Sequence, residues 1–161
     1  MRTFETSIDA TGRRFGIVAG RFNHIISVRL LSGCTEELIA RGADPAAIDV
    51  AWVPGAFEIP LTLRALARTG RYDALMALGV VIRGGTPHFD FVCNGVTDGV
   101  REVMRDTGVP VAFGVLTTDD VDQALDRAGG VEGNKGKEAA RVAIEMIALL
   151  GQIDGSAESA K

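Results

Sequence analysis

The sequence predicts an α/β fold, a three-layer α/β/α sandwich around a four-stranded parallel sheet. Four short apolar runs, Phe15–Ala19, Ile48–Val53, Ala74–Ile82 and Val109–Leu116, alternate with stretches of helical periodicity. That alternation is the signature of βαβ units, which close right-handed into a parallel sheet with helices on both faces. The run from Ala74 to Ile82 is apolar almost without interruption, as a strand covered on both faces should be.

Taken in order, Thr3–Ile8 alternates weakly and has no partner of its own, so it suits an exposed edge on another element or another subunit. Phe15–Ala19 is the first strand, closed by Gly20 and the loop Arg21-Phe22-Asn23-His24. Phe22 is either a lid on the core or a flat surface for a ring to stack on. From Ile25 to Arg41, Leu31, Cys34 and Leu38 recur at helical spacing with Ile26 and Leu30 beside them, and Gly42 stands where a helix-ending glycine belongs. After Ile48–Val53, Pro54-Gly55-Ala56 breaks the strand before a helix from Phe57 or Glu58 to Thr69, with Pro60 tolerated in its first turn. Glu58 is then stabilised by the helix dipole whether or not it has a function.

The third strand runs into Gly84-Gly85-Thr86, where paired glycines let backbone N–H groups approach an anion and a hydroxyl adds a donor. His88 follows at the start of a helix, Phe89–Thr107, stopped by Gly108 and Pro110. Val109–Leu116 is the fourth strand. Thr117-Thr118-Asp119 caps a short helix, Val121–Ala128, whose last turn carries Arg127, a position the dipole also favours for a cation. Gly129–Gly136 reads as a glycine-rich loop and Lys137–Leu150 as an amphipathic helix with Ala140, Ala143, Ile147 and Leu150 on one face. Residues 1–151 form one domain, and the small polar tail 152–161 is expected to be disordered.

A chain of 161 residues, 47% hydrophobic, suffices for one core, and its net charge of -4 argues against nucleic-acid binding. Cys34 and Cys93 fit no C-x-x-C pattern and read as buried free thiols. The start has no basic stretch followed by an apolar segment, and no apolar run reaches the roughly 18 residues of a membrane span. A soluble cytoplasmic protein without membrane association is expected.

Several chemistries are excluded. No G-x-G-x-x-G follows the first strand, and the loop Gly130–Lys137 has the wrong spacing for a P-loop, with Glu138 in place of the required Ser or Thr. His24, His88 and Asp90 are too few for a metal site. There is no G-x-S-x-G nucleophile, and Lys135, Lys137 and Lys161 lack the apolar setting a Schiff-base lysine needs. An imidazole beside an anion-shaped loop remains, suited to noncovalent acid–base work on a phosphorylated small molecule, since its ordinary pKa is about 6.5. Ligands in such sheets bind beyond the carboxyl ends of the strands. Phe22, Ala56–Glu58, Gly84–His88 and Phe113 are all expected there, in one pocket.

Phe22-Asn23, Val53–Pro60, Gly79–Asp90, Phe113–Thr117, Gln123-Ala124, Asp126–Gly129 and Gly133–Gly136 together resemble the 6,7-dimethyl-8-ribityllumazine synthase family, over Phe15 to Leu150. The resemblance implies a flavodoxin-like topology and condensation of 5-amino-6-(D-ribitylamino)uracil with 3,4-dihydroxy-2-butanone 4-phosphate, the penultimate step of riboflavin biosynthesis. It implies that Phe22, with Asn23, stacks on the pyrimidine, that Ala56, Phe57 and Glu58 hold the ribityl chain, and that the backbone of Val80, Val81 and Ile82 bonds the uracil edge. Gly85 and Thr86 are implied to bind the phosphate end of the butanone and His88 to shuttle protons. Phe113, Arg127 and Lys135 are implied to enter from an adjacent subunit, Arg127 gripping the phosphate, and Glu138 belongs to the same uracil-binding set. No cofactor and no metal are implied. The family builds pentamers; many members close these into an icosahedral shell of roughly 60 subunits, and others stop at pentamers or pair them. The short Gly129–Gly136 loop goes with the shell, Thr3–Ile8 with a strand added to a neighbour's sheet, and the resemblance implies riboflavin synthase as an associate. The competing readings are a catalytically silent lumazine- or riboflavin-binding or shell-forming paralogue, and an unrelated flavodoxin-like module for a phosphorylated ligand.

Overall fold

The computed structural model describes residues 1–158, with side chains to residue 155. The strands are β1 (Phe15–Gly20), β2 (Ile48–Val53), β3 (Ala74–Ile82) and β4 (Val111–Thr118), and they form one parallel sheet in the order β2-β1-β3-β4. The helices are α1 (His24–Ala40), α2 (Ile59–Arg68), α3 (His88–Thr107), α4 (Val121–Arg127) and α5 (Lys135–Glu158). The expected three-layer α/β sandwich is therefore the observed architecture.

Period-two alternation sorts the strand side chains between the two helical layers. Phe15, Ile17, Ala19, Met76 and Leu78 pack with Cys34 and Leu38 of α1 and Ala140 and Ile144 of α5. Val18, Leu75 and Ala77 face the other way, onto Ile59 and Leu63 of α2 and Val96, Val100 and Val103 of α3. β1 and β3 are covered on both faces, which is why their sequences are unbroken apolar runs.

The structure departs from expectation in four places. β4 starts at Val111, because Pro110 only offers its carbonyl to Leu75 and pairing begins after it, and it ends at Thr118, opposite Ile82 of β3. Phe113 therefore lies near the start of this edge strand and not at its carboxyl end. The Gly129–Gly136 loop contains a small antiparallel hairpin, β5 (Ala128–Gly130) with β6 (Gly133–Asn134). Its turns use Gly129 at φ 103 and Gly133 at φ 77, values open to glycine. The last helix begins at Lys135, because the Asn134 side-chain oxygen accepts the N–H groups of Gly136 and Lys137 and so caps it two residues earlier than the apolar pattern shows. It also continues to Glu158. The expected disordered tail is thus helical where described, and residues 159–161 lie outside the described residues.

None of residues 1–14 forms a strand within this chain. The Thr6 hydroxyl donates to Glu145 on α5 at 2.9 Å, and the Gln152 amide donates to the Glu5 carbonyl. Pairing of Thr3–Ile8 with a neighbour's sheet would need a second chain. Cys34 is buried in α1, where burial pushes its thiol up to about 12; Cys93 is partly buried, and both are free. No helix among the described residues is long and apolar enough to cross a membrane.

One buried charge ties α1 to α5. Glu37 is 5% exposed. Its Oε1 accepts from Arg141 Nε at 2.7 Å and Arg41 Nε at 2.9 Å, while Lys137 Nζ stands 3.6 Å from Oε2. The Arg141 hydrogen bond is the main cause holding this carboxyl down to about 2; burial opposes it and Arg41 adds to it. Both arginines keep contact with solvent, so the network is weaker than a fully buried one. Glu37→Gln is expected to cost roughly 1–3 kcal/mol, the scale of hydrogen bonds to a charged group, by denaturant titration at neutral pH. A depressed carboxyl contributes its stability above the unfolded value and loses it as pH falls. The difference between wild type and Glu37→Gln should therefore shrink as pH drops from 4.5 toward 2.

Candidate active site

The site begins where β1 and β2 end together. Arg21 and Phe22 donate their N–H groups to the carbonyls of Val53 and Pro54 at 2.8 and 3.0 Å, stapling one loop to the other. Asn23 then turns the chain at φ 56, ψ 50, a left-handed conformation that asparagine tolerates better than most residues. The Phe22 ring lies against Gly55, where a Cβ would come within 2.6 Å of it, so glycine is required for this approach. Phe22 is still 67% exposed and stands over a cavity, so its ring is an open surface and not a lid buried on the core.

Glu58 meets the same turn. Its Oε2 accepts the Gly55 N–H at 2.9 Å, so one carboxylate oxygen holds the turn, and the side chain also lines the cavity. Ala56 is buried beneath, and Phe57 is 61% exposed.

β3 supplies the floor. It pairs with β1 only as far as Leu78, whereas its pairing with β4 continues to Ile82. Along Val80, Val81 and Ile82 the side turned toward β1 therefore carries no strand, and its main-chain groups face the cavity. Unpaired backbone donors and acceptors seek a partner, which a flat polar ring can supply. The cavity measures about 550 Å³ and is lined by residues of the β1–α1 and β2–α2 connections, by Val80–Ile82, and by His88, Phe91 and Val92.

His88 is the first residue of α3 and is exposed. Its N–H donates to Thr86 Oγ1 at 3.4 Å. Gly85 and Thr86 sit in the exposed loop just before it and are not part of the cavity wall. A Cβ on Gly84 or Gly85 would meet no atom within 4 Å, so nothing packs on this loop. Arg83 anchors its start: Nε donates to Asp119 at 2.9 Å, Nη1 lies 3.5 Å from Asp90, and the guanidinium covers the Phe89 ring at 4.1 Å.

Arg83, Phe91 and Val92 were not singled out from the sequence. Phe91 had a signal: it stands three residues after His88 on a helix, hence on the same face. It is 72% exposed, the third ring around the cavity.

The remaining expected residues lie elsewhere. Phe113, Arg127 and Lys135 line a second depression of about 230 Å³ with Gly114–Thr117, and it shares no lining residue with the first. The expectation of a single pocket including Phe113 is thus corrected for the single chain, because Phe113 is on the edge strand, early in β4. Arg127 donates from Nη1 to the Gln123 carbonyl at 3.0 Å, and Lys135 Nζ bonds both Glu138 oxygens at 2.9 and 2.7 Å. Glu138 lines neither depression and is placed only beside Lys135.

Chemically, the first cavity offers three aromatic rings, a carboxylate, open main-chain edges and an imidazole. The second offers a guanidinium and an ammonium beside an aromatic ring. Among the described residues no cluster of side chains suits a metal ion. A family model described as 6,7-dimethyl-8-ribityllumazine synthase matches residues 12–151, the span that holds every strand and the lining of both depressions. The chain belongs to the 6,7-dimethyl-8-ribityllumazine synthase family, which places it in riboflavin biosynthesis.

Proposed function

We propose that the chain catalyses condensation of 5-amino-6-(D-ribitylamino)uracil with 3,4-dihydroxy-2-butanone 4-phosphate to 6,7-dimethyl-8-ribityllumazine, in a site shared between two copies. The observation that carries this reading is the division of the chemistry: ring-binding groups and His88 in one depression, Arg127 and Lys135 in another. Copies placed so that the second depression of one meets the first of the next make a complete site at each contact. Pentamers would supply such contacts cyclically, and we extend the reading to a closed icosahedral shell of roughly 60 subunits in the cytoplasm. Association with riboflavin synthase, which would consume the product, belongs to the same proposal.

In this reading Phe22 stacks on the pyrimidine, with Asn23 beside it, and the open edge of Val80–Ile82 bonds its polar rim. Ala56, Phe57 and Glu58 receive the ribityl chain. Arg127 binds the phosphate through charge-assisted hydrogen bonds, with Gly85 and Thr86 completing the cradle. The 5-amino group attacks the ketone, and loss of water leaves an imine. Removal of the proton on the hydroxyl-bearing carbon expels phosphate from its neighbour and leaves an enol, which tautomerises to a second ketone. The ribityl-bearing nitrogen closes the ring on that carbonyl and another water departs. His88, at the cavity rim, takes and returns the protons. No cofactor enters, because each step is a proton transfer or an addition between oriented partners.

Lumazine absorbance provides the assay. Phe22→Ala should weaken binding of the ribitylaminouracil about 10- to 100-fold, the scale of base–aromatic stacking. Arg127→Ala should act mainly through KM for the butanone phosphate. Uracil binding without any catalysed turnover by the wild type would leave a binding protein in place of a synthase. Co-assembling His88→Ala with Arg127→Ala subunits tests the shared site: random equal mixing should restore about a quarter of the sites, and no recovery would contradict it.

A further inference from the structure

We infer that Asn134 is a positioning residue for the cationic half of the site, holding Lys135 and Arg127 in place without touching the substrate. The inference rests on the shared-site reading above and adds a residue to it. Asn134 is not among the residues lining either depression, yet its side chain is hydrogen-bonded at both ends. Its Oδ1 accepts the N–H groups of Gly136 and Lys137 at 2.9 and 3.2 Å, one residue on and two residues on from Lys135. Its Nδ2 donates to the Arg29 carbonyl of α1 at 2.9 Å. Two acceptor contacts on one end and a donor contact on the other fix which way the amide points.

The surroundings are shaped for it. Gly33 lies in the middle of α1, where glycine costs about 1 kcal/mol relative to alanine. A Cβ there would come within 2.5–2.6 Å of the Asn134 amide, so the missing side chain is the notch that admits it. Gly136 lies so close to α1 that a Cβ would meet the Leu30 carbonyl oxygen at 1.9 Å. Lys135 is thereby held between two residues pinned to the same helix.

The backbone of Asn134 reaches Arg127 as well. In the β5–β6 hairpin Asn134 pairs with Ala128, the residue after Arg127, and the Glu132 N–H donates to the Asp126 carbonyl at 3.0 Å on the other side of it. One asparagine thus sets the spacing of the two cations and their distance from α1. Small displacements of an orienting group can cost as much as 100-fold in rate, so a loosened clamp should be felt at the phosphate.

Asn134→Ala should raise KM for the butanone phosphate by roughly 10- to 100-fold while KM for the ribitylaminouracil changes less than about twofold. Gly33→Ala, which fills the notch from the α1 side, should reproduce that split, and it carries the test if Asn134→Ala does not fold. Co-assembly then classifies the lesion. Asn134→Ala mixed with His88→Ala should regain activity, since each supplies the half the other lacks, whereas mixing with Arg127→Ala should regain none. Recovery with Arg127→Ala, or unchanged KM for the phosphate substrate, overturns the inference. The His88→Ala and Arg127→Ala mixture is the control: if it fails, the shared-site reading falls. The KM split alone then decides the role of Asn134, a selective rise upholding it and no rise overturning it.

Discussion

The organisation of this molecule depends on β3 outrunning β1. Both are central strands and both are buried, but their ladder ends at Leu78 while β3 continues beside β4 to Ile82. A buried strand cannot leave its main chain unpaired at low cost, so this overhang creates a demand for hydrogen bonds at the one place where three connections converge. The β1–α1 loop brings Phe22, the β2–α2 turn brings Phe57 and Glu58, and the start of α3 brings His88 and Phe91. A cavity with rings on its walls and open peptide groups on its floor follows from strand length and register.

The other half of the chemistry is set by a different contact. α1 and α5 pack against each other on the opposite face of the sheet, held by the Glu37 ion network at one level and by Asn134 and Gly136 at another. This packing carries Lys135, and through the hairpin Arg127, to the outer side of the edge strand β4. The same fold thus presents three aromatic rings and an imidazole on one surface and two cations on another. In the proposed reaction that separation calls for assembly, and the Phe113 ring is exposed beside the two cations.

Much of this was legible in the sequence. β2 and β3 begin and end where their apolar runs do, because burial dictates both composition and extent. Glu58 and Phe22 could be placed but not interpreted, since a capping carboxylate and a lid phenylalanine look the same on paper as functional ones; the structure shows that Glu58 caps the Gly55 turn while lining the cavity, and that the Phe22 ring is exposed above it. What escaped was whatever depends on non-local contact. Pro110 delays the start of β4 and pairing with β3 carries the strand on to Thr118, which leaves Phe113 near its start. The β5–β6 hairpin is too short and glycine-rich to show periodicity. Gly33 and Gly136 look like weak points in helices until the Asn134 side chain and the Leu30 carbonyl are seen to occupy the space. Arg83, drawn to two carboxylates from separate elements, left no local mark at all.

The central claim is that a single chain carries two halves of a site and no whole one. The most direct measurement is lumazine formation per subunit, followed by absorbance, in size-separated fractions of the wild-type protein under mild dissociating conditions. The account predicts turnover in the assembled fractions and none above the uncatalysed rate in folded monomers. Full turnover per chain in the monomer fraction would contradict it.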